Sequence, residues 1–443
     1  MSVKALAAIA LAVLAAYLHA MSASFQFDDW NVIVDNPAVH GWAAWWDRMP
    51  GIRSLLKLTY VGNWVSGWGV EGFRAVNIAL HLANTALVAW VVREILEATG
   101  LPCARATNAA LVAAALFALH PAQTEAVTYI SGRSVSLMAT FYLAALLVHM
   151  RMPSGSGRAI TVLVFIVAIA AKENAWTLPF AITAIEAARP GASWRTVVSR
   201  THWLWWALVA VFLGALSIPG YRLPLERSLE TRTLGENLLT QVDGIAYLLT
   251  RPLLLLQTSI DPDLAPQTHW TPALAVEALT LLAVLGIALR QWRRRPWLGL
   301  GLVWPFALLL ATNSVLPRLD VANDRQLYLA LIGPAWIAGI ALQGLRSPRL
   351  AGGLAAALAI ILFGTTAARN RDYLTEVSLW AATARSSPGK ARVWNNLGFA
   401  RQTAGDVEGA RAAYERALAI DPDDVKARIN LGTLDAPSSP PDR

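Results

Sequence analysis

The fold of this chain is decided by apolar runs such as PALAVEALTLLAVLGIAL at residues 272–289, in which Glu277 is the only charged side chain. An α-helix needs about 20 predominantly apolar residues to cross the hydrocarbon core of a bilayer, and this run is nearly that long. Over all 443 residues, 56% are hydrophobic and 15% are charged, whereas a soluble domain carries about 25% charged residues. The sequence therefore predicts an integral membrane protein.

Runs of this kind predict a polytopic all-α protein with about 11 membrane spans. They lie at residues 3–20, 73–92, 107–119, 134–150, 159–171, 174–188, 202–219, 272–289, 297–316, 327–344 and 350–367. Arg and Lys side chains concentrate in the loops on one side, which the positive-inside rule assigns to the cytoplasm. The amino terminus is therefore predicted to be cytoplasmic and the carboxyl terminus periplasmic, and the net charge of +8 requires no nucleic-acid partner.

Residues 1–20 fit both a cleavable signal peptide and an uncleaved first helix. We expect an uncleaved helix, because the residues that follow resemble a site that must be held at the membrane surface. Two long outer segments are predicted at 21–72 and 220–271. The second contains an apolar piece, 245–257, which we expect to be re-entrant or to lie on the membrane surface, because another full span would break the alternation of the loops.

The carboxyl-terminal part has the spacing of a tetratricopeptide repeat, a pattern of 34 residues, from Ala391 to Asp424. One complete repeat with a half repeat on either side is predicted. A solenoid usually needs about three repeats, so this region is expected to lean on the membrane domain or on a partner. The predicted organisation is a transmembrane domain at 1–369, a repeat region at 370–435 and a disordered tail at 436–443. The matching positions are Trp394, Leu397, Gly398, Gly405, Ala410, Tyr414, Ala417 and Pro422.

The first chemical candidate is the carboxylate pair Asp28-Asp29, directly after the first predicted helix. The pair fits solvated loop acids equally well. Two nearby carboxylates repel each other, so one of them tends to have a raised pKa, and such a base can take a proton from a hydroxyl. A pair of this kind can also hold a divalent cation. The single cysteine, Cys103, provides neither an internal disulfide nor a zinc site.

Further polar side chains lie at the predicted outer edges of the spans. Each has a structural alternative as a helix anchor, an ion-pair partner or a turn residue. Charged residues among apolar helices are costly and are functional suspects by default, and several cations on one side make a seat for an anionic lipid head group. The candidates for substrate binding are Arg53, His120, Glu125, Arg133, Lys172, Glu173, Arg251, Arg325 and Tyr328.

Together and in this order, the motifs resemble the transmembrane and tetratricopeptide-repeat-containing O-mannosyltransferase family and its bacterial relatives. The likeness covers nearly the whole chain. It departs from the family pattern at Asp324, where Glu is usual, at Ala330, where Pro is common, and in its shorter repeat array. The matching segments are Phe-Asp-Asp-Trp-Asn-Val-Ile-Val-Asp-Asn-Pro at 27–37, Arg53-Ser-Leu, Asn77-Ile-Ala-Leu-His81, His120-Pro-x-x-Thr-Glu125-Ala-Val, Gly132-Arg133, Lys172-Glu173 and Asp324-Arg325-Gln-Leu-Tyr328.

The resemblance implies a C-type glycosyltransferase fold that uses a polyprenyl-phosphate-linked sugar, a hexose such as mannose, on the periplasmic or lumenal face. It also implies that Asp28 or Asp29 accepts the proton of an acceptor hydroxyl, that attack inverts the anomeric centre, and that cations stabilise the leaving phosphate. The expected acceptor is a protein Ser or Thr, docked by the repeats, and a lipid or cell-wall glycan stays open. The Ala-, Arg- and Trp-rich composition fits a bacterial inner membrane.

Two other classes of function stay open. A non-catalytic membrane anchor that presents the repeats to partners predicts no role for Asp28 and Asp29. A transporter of lipid-linked sugars predicts charged side chains at the midplane of the bilayer, whereas this sequence concentrates them at one edge of the predicted spans.

Overall fold

The computed structural model describes residues 1–48, 52–216, 230–253, 259–314 and 320–435, together with positions 226, 228, 255, 317 and 318. In this described part the chain is helical and contains no β-strand, which confirms the all-α class. The predicted disordered tail at 436–443 lies outside the described residues. The α-helices are α1 (Val3–Tyr17), α2 (Trp42–Asp47), α3 (Ser54–Ser66), α4 (Gly69–Ala98), α5 (Cys103–Ala118), α6 (Thr124–Val127), α7 (Arg133–Arg151), α8 (Gly155–Ala171), α9 (Leu178–Ala187), α10 (Trp194–Leu216), α11 (Leu234–Thr250), α12 (Pro272–Trp292), α13 (Pro296–Leu309), α14 (Leu327–Ala330), α15 (Ile332–Gln343), α16 (Pro348–Asp372), α17 (Glu376–Ser386), α18 (Ala391–Thr403), α19 (Val407–Ile420) and α20 (Val425–Asp435).

Six helical segments in the described part are long and apolar enough to cross a membrane, and two bent pairs raise the number to eight. The chain is thus a multi-pass membrane protein, but the predicted number of about 11 spans is not confirmed. Two predicted spans correspond to the shorter apolar helices α8 and α13. The six segments are Val3–Ser22, Gly69–Ala98, Ile130–Arg151, Trp194–Gly214, Pro272–Trp292 and Pro348–Asp372.

The chain bends by 58° between α5 and the segment Pro121–Val127. Pro121 opens a 3₁₀ turn in which the ring of His120 accepts a hydrogen bond from the backbone N–H of Ala122 at 3.1 Å. Proline cannot continue a helix without losing a backbone hydrogen bond, so the helix α5 ends at Ala118. The segment 121–127 therefore crosses the end of the helical bundle instead of continuing along α5.

The helix in this region, α11, starts at Leu234 and ends at Thr250, so it includes the first part of the predicted apolar piece at 245–257. Residues 254, 256 and 257 of that piece lie outside the described residues, and its re-entrant or surface-lying placement stays a prediction. The start of α11 is fixed by a capping box between Thr233 and Glu236, which satisfies two backbone donors. The helix buries several polar side chains, whereas Leu234 and Leu238 are exposed. Its first two turns therefore lie outside the apolar piece that the sequence shows at 245–257. The buried polar residues are Asn237, Thr240 and Gln241.

The repeat region forms as predicted, with α18 and α19 as the complete repeat and α17 and α20 as the halves. The helices α18 and α19 approach closely at Gly398, where an added Cβ would lie 2.5 Å from the ring of Tyr414. The repeat region contacts the membrane domain through Arg392. Its guanidinium donates to Asp261 and lies 2.7 Å from the carboxylate of Asp320. A short connection between α16 and α17 completes the attachment.

Candidate active site

Asp29 lies in the loop after α1, and its side chain is fully buried. Its Oδ1 accepts hydrogen bonds from the backbone N–H and the hydroxyl of Ser131, at 2.8 Å and 2.6 Å. Its Oδ2 accepts one from the backbone N–H of Gln26 at 3.1 Å. Burial raises the pKa of Asp29 to about 6, although Ser131, Gln26 and the charge of Arg74 act to lower it. Asp29 therefore joins this loop to the segment before α7 and is enclosed by its donors.

Asp28 is half-buried and lies beside Tyr129, whose hydroxyl accepts a hydrogen bond from the backbone N–H of Asp28 at 3.0 Å. Burial and the charges of Asp29 and Asp28 raise the pKa of Tyr129 well above its usual value. Phe27 and Tyr129, which lie beside Asp28, line a narrow cleft between the membrane domain and the repeat region. The other residues that line this cleft are Glu125, Ile260, Asp261, Asp320, Arg325, Tyr373, Leu379, Trp380 and Arg392.

The buried Glu125 and the partly buried Arg325 form an ion pair in the same cleft. The Arg325 Nε lies 3.4 Å from Glu125 Oε1, and the backbone N–H of Arg325 donates to Glu125 Oε2 at 3.1 Å. The guanidinium of Arg325 also lies 5.9 Å from the centre of the Tyr129 ring, within the range of a cation–π contact. The bend after α5 places Glu125 near Tyr129, and the 3₁₀ turn before α14 places Arg325 there as well. Two motifs that are far apart in the sequence therefore meet beside Tyr129.

Lys172 and Glu173 lie where α8 ends, beside the start of α7. The ammonium of Lys172 is buried and donates to the hydroxyl of Ser134 at 3.4 Å. Burial and the charges of Arg53 and Arg325 lower the pKa of Lys172 well below its usual value. Arg53 meets Glu173 in a two-pronged ion pair, with its Nε 3.0 Å from Glu173 Oε2. Lys172 is therefore a buried cation in a region that already holds excess positive charge.

Arg318 is a member of this group of cations that the motif comparison missed. Its charge acts on Lys172 together with those of Arg53 and Arg325, so the four side chains share one electrostatic neighbourhood. Arg318 belongs to no motif, but it lies in the predicted outer segment between the spans 297–316 and 327–344. A search for every cation in the outer segments would have found it.

Four of the sequence candidates have partners elsewhere. Arg133 is completely buried and donates to Asn77, to Thr59 and to the carbonyl of Phe73. The hydroxyl of Tyr328 is bonded to His81 and Asn84 inside the bundle. The His120 ring caps its own turn, and the Arg251 guanidinium lies 4.1 Å from the centre of the Tyr247 ring. These contacts favour the structural alternative for Arg133 and Tyr328.

Polar atoms without a protein hydrogen-bond partner lie close to the cleft. In the described part they include Oε1 of Gln123, Oδ1 of Asp324 and the hydroxyl of Tyr373, all buried. Buried polar groups are normally paired, so these atoms suit a polar ligand or water. No group of three or more His, Cys, Asp or Glu side chains among the described residues is arranged to hold a metal ion.

Fold and site together define a multi-pass helical membrane protein in which the ion pair of Glu125 and Arg325 and side chains of the helical repeat line one cleft. The tetratricopeptide repeat family model matches residues 391–424. Protein O-mannosyl-transferase F38B6.6 of Caenorhabditis elegans is 26% identical over 92% of this chain and 61% of its own length. Protein O-mannosyl-transferase TMTC3 of Homo sapiens is 24% identical over 95% of this chain and 52% of its own length.

Protein O-mannosyl-transferase Tmtc3 of Drosophila melanogaster is 25% identical over 96% of this chain and 56% of its own length. Over most of its length the chain is therefore similar to proteins named protein O-mannosyl-transferases, and its residues 391–424 match a tetratricopeptide repeat. It spans between 52% and 61% of the length of these three curated relatives. No solved structure matches the chain.

Proposed function

We propose that the chain is an inverting glycosyltransferase that moves a hexose, such as mannose, from a polyprenyl-phosphate donor to a Ser or Thr hydroxyl of a protein. The observation that carries this proposal is the electrostatic interaction of Asp28 with Arg325, which lines the cleft, while the charge of Arg325 also acts on the buried Lys172. The names of the relatives support the reaction type. The single-sided placement of the charged residues supports a site at one membrane face, which we propose to be the periplasmic face of a bacterial inner membrane.

We assign the role of general base to Asp28 and not to Asp29. Asp29 is enclosed by donors from Ser131 and Gln26, so an acceptor hydroxyl has no approach to its oxygens. Asp28 is half-buried beside the cleft. In the proposed step, the Asp28 carboxylate takes the hydroxyl proton, the acceptor oxygen bonds to the anomeric carbon, and the bond from that carbon to the phosphate oxygen breaks.

The leaving phosphate gains negative charge in this step and needs no proton. Fixed cations are the groups that stabilise such charge in a site shielded from water, and we assign this role to Lys172, Arg318, Arg325 and Arg53. For the prenyl tail we propose the open groove of about 900 Å³ that Leu238 of α11 and Trp270 line. The exposed apolar face of α11 adjoins this groove and suits a lipid chain.

The sugar hydroxyls have candidate partners in the unpaired buried atoms of Gln123, Asp324 and Tyr373. A glycosyl group inserted there would pair atoms that the protein leaves unpaired. The acceptor would enter through the cleft between Trp380 of the repeat region and the membrane domain, which places a protein substrate beside a helical repeat. A lipid or cell-wall glycan acceptor predicts instead that the repeats can be altered without changing acceptor choice.

The proposal is tested with the purified full-length chain in lipid nanodiscs, supplied with polyprenyl-phosphate mannose and Ser/Thr-containing peptides. Mass analysis of peptide, lipid and released sugar separates the outcomes. Transfer to peptide supports the proposal. Transfer to a lipid or glycan acceptor alone would show that the acceptor is not a protein. A protein that binds partners through its repeats but transfers no sugar from any polyprenyl-phosphate donor would be the membrane anchor.

Arg318→Ala is expected to lower kcat by about tenfold to a hundredfold, because it removes one cation from the leaving phosphate. Arg318→Lys keeps the charge and should retain most of the activity. Arg346→Ala is the matched control, since Arg346 is exposed and lies outside the cleft. Initial rates at saturating donor concentration measure the effect. A wild-type kcat in Arg318→Ala would show that Arg318 does not stabilise the leaving phosphate.

Transfer is expected to decline as the pH falls through about 6, the pKa of Asp29. Protonation below this pH weakens the bonds that Asp29 accepts and loosens the loop that carries Asp28. The Ser131 hydroxyl lowers the pKa of Asp29, so Ser131→Ala should raise this pKa and move the acid limb to higher pH. The pH profile of kcat measures the limb, and a shift to lower pH in Ser131→Ala would contradict the assignment.

A further inference from the structure

We propose that Glu376, in the first helix of the repeat region, is a positioning residue that holds the Asp28-Asp29 loop in its working conformation, so that docking of the repeats controls sugar transfer. This inference rests on the proposed function. It concerns a residue that belongs to none of the motifs of the membrane domain. It also gives the repeats a role inside the site that is independent of acceptor binding.

The carboxylate of Glu376 reaches both sides of the aspartate pair. Its Oε1 accepts a hydrogen bond from the backbone N–H of Phe27 at 2.7 Å and another from the indole N–H of Trp30 at 3.2 Å. Phe27 directly precedes Asp28, and Trp30 directly follows Asp29. A single carboxylate therefore clamps the two ends of the four-residue segment that carries the proposed base. Charge-assisted hydrogen bonds of this kind are about twice as strong as neutral ones.

The backbone at Phe27 explains why the segment needs a clamp. Its φ angle is +48°, in the left-handed region, which costs a residue with a side chain about 1 kcal/mol or more. In this conformation the Phe27 N–H donates to Glu376. The ring of Phe27 also packs edge-on against Trp380 of α17, with 5.2 Å between ring centres. Without these contacts, Phe27 is expected to return to an extended conformation and to carry Asp28 out of the cleft.

Other contacts extend the attachment from this loop to the connection between α16 and α17. The backbone N–H of Ser24 donates to the carbonyl of Leu374 at 3.2 Å, and the side-chain amide of Gln26 donates to the carbonyl of Tyr373. Gln26 also donates its backbone N–H to Asp29. The loop is thus built on the start of the repeat region, and a displacement of α17 must change it.

Kinetics of Glu376→Ala in the full-length chain test the role. We expect kcat to fall by about tenfold to a hundredfold, as misplacement of a reacting group by about 1 Å can do, with the donor KM unchanged because the cations stay in place. Glu408→Ala is the matched control, since Glu408 is an exposed glutamate of the same repeat region and should leave kcat unchanged. An unchanged kcat in Glu376→Ala would overturn the inference.

Rescue separates positioning from a general loss of structure. Glycine adopts a φ of +48° without steric cost, so Phe27→Gly should make the loop less dependent on the clamp. The fold-loss in kcat caused by Glu376→Ala should therefore be smaller in the Phe27→Gly background than in the wild type. An equal loss in both backgrounds would contradict the role of the Phe27 backbone.

Hydrogen exchange gives a measurement that does not depend on catalysis. Glu376→Ala should speed amide exchange in residues 24–30 and leave exchange in α19 unchanged. If the wild type transfers no sugar but the exchange result holds, the proposed function fails and the clamp stands. If sugar is transferred but exchange and kcat are both unchanged in Glu376→Ala, the clamp fails and the proposed function stands.

Discussion

Asp28→Asn is expected to lower kcat for sugar transfer by about 10³-fold, within the range that general-base catalysis supplies, while the protein keeps its fold. The amide retains the size of the carboxylate and loses its ability to accept the hydroxyl proton. Asp28 is half-buried, and the contact of its backbone N–H with Tyr129 does not depend on the side chain. Single-turnover rates with a polyprenyl-phosphate sugar, measured beside circular dichroism, give the result.

Two variants sharpen this test. Asp47→Asn changes an exposed aspartate at the end of α2 and should be silent. Asp29→Asn should also reduce transfer, but through its loop, because an amide cannot accept all three bonds from Ser131 and Gln26, and so it should also speed amide exchange there. If Asp28→Asn transfers sugar at the wild-type rate while Asp29→Asn is inactive with an unchanged loop, Asp29 is the base instead.

Arg133→Met is expected to destabilise the membrane domain by about 3 kcal/mol or more, because each buried acceptor left without a donor costs about 1–3 kcal/mol. The acceptors concerned are the side-chain oxygen of Asn77 and the backbone carbonyl of Phe73, at 2.6 Å and 2.7 Å from the guanidinium. The guanidinium also lies 4.8 Å from the centre of the Tyr60 ring. Unfolding by SDS titration in mixed micelles measures the loss.

Arg105→Met provides the control for this change, since Arg105 is exposed and its replacement by the same residue should leave stability unchanged. Arg133→Lys should recover only part of the loss, because an ammonium cannot reproduce the geometry of the guanidinium. A stable Arg133→Met variant with a raised donor KM would instead support the prediction from sequence that Arg133 binds the substrate.

The comparison of Arg133 with Arg325 shows what the sequence can and cannot predict. Both are arginines at the predicted outer edge of a span, and both belong to a motif. One donates into the interior of the bundle, and the other pairs with Glu125 in the cleft. This difference depends on which helices pack together, and residue spacing along the chain carries no such information. The sequence therefore leaves a functional and a structural alternative open for each residue, and the tertiary contacts favour one of them.

Local sequence signals predicted helix ends and the repeat more reliably than apolar runs predicted the number of membrane spans. The end of α5 near Pro121 and the repeat at 391–424 follow from proline chemistry and from a fixed period, and both are confirmed. The number of spans does not follow from apolar runs alone, because shorter apolar helices and bent helix pairs have the same composition as helices long enough to span a bilayer. The start of α11 at Leu234 precedes the apolar run at 245–249, because a capping box at Thr233 and not hydrophobicity defines that end.

The repeat array has one fixed end and one open end. Its first helix, α17, is part of the wall of the cleft, whereas its last helix, α20, exposes the apolar side chains of Val425 and Ile429. Helical hairpins stacked on the exposed face of α20 would touch only their neighbours and would leave the cleft unchanged. The number of repeats can therefore change without altering the cleft, and the same modularity offers an attachment point for engineered targeting domains.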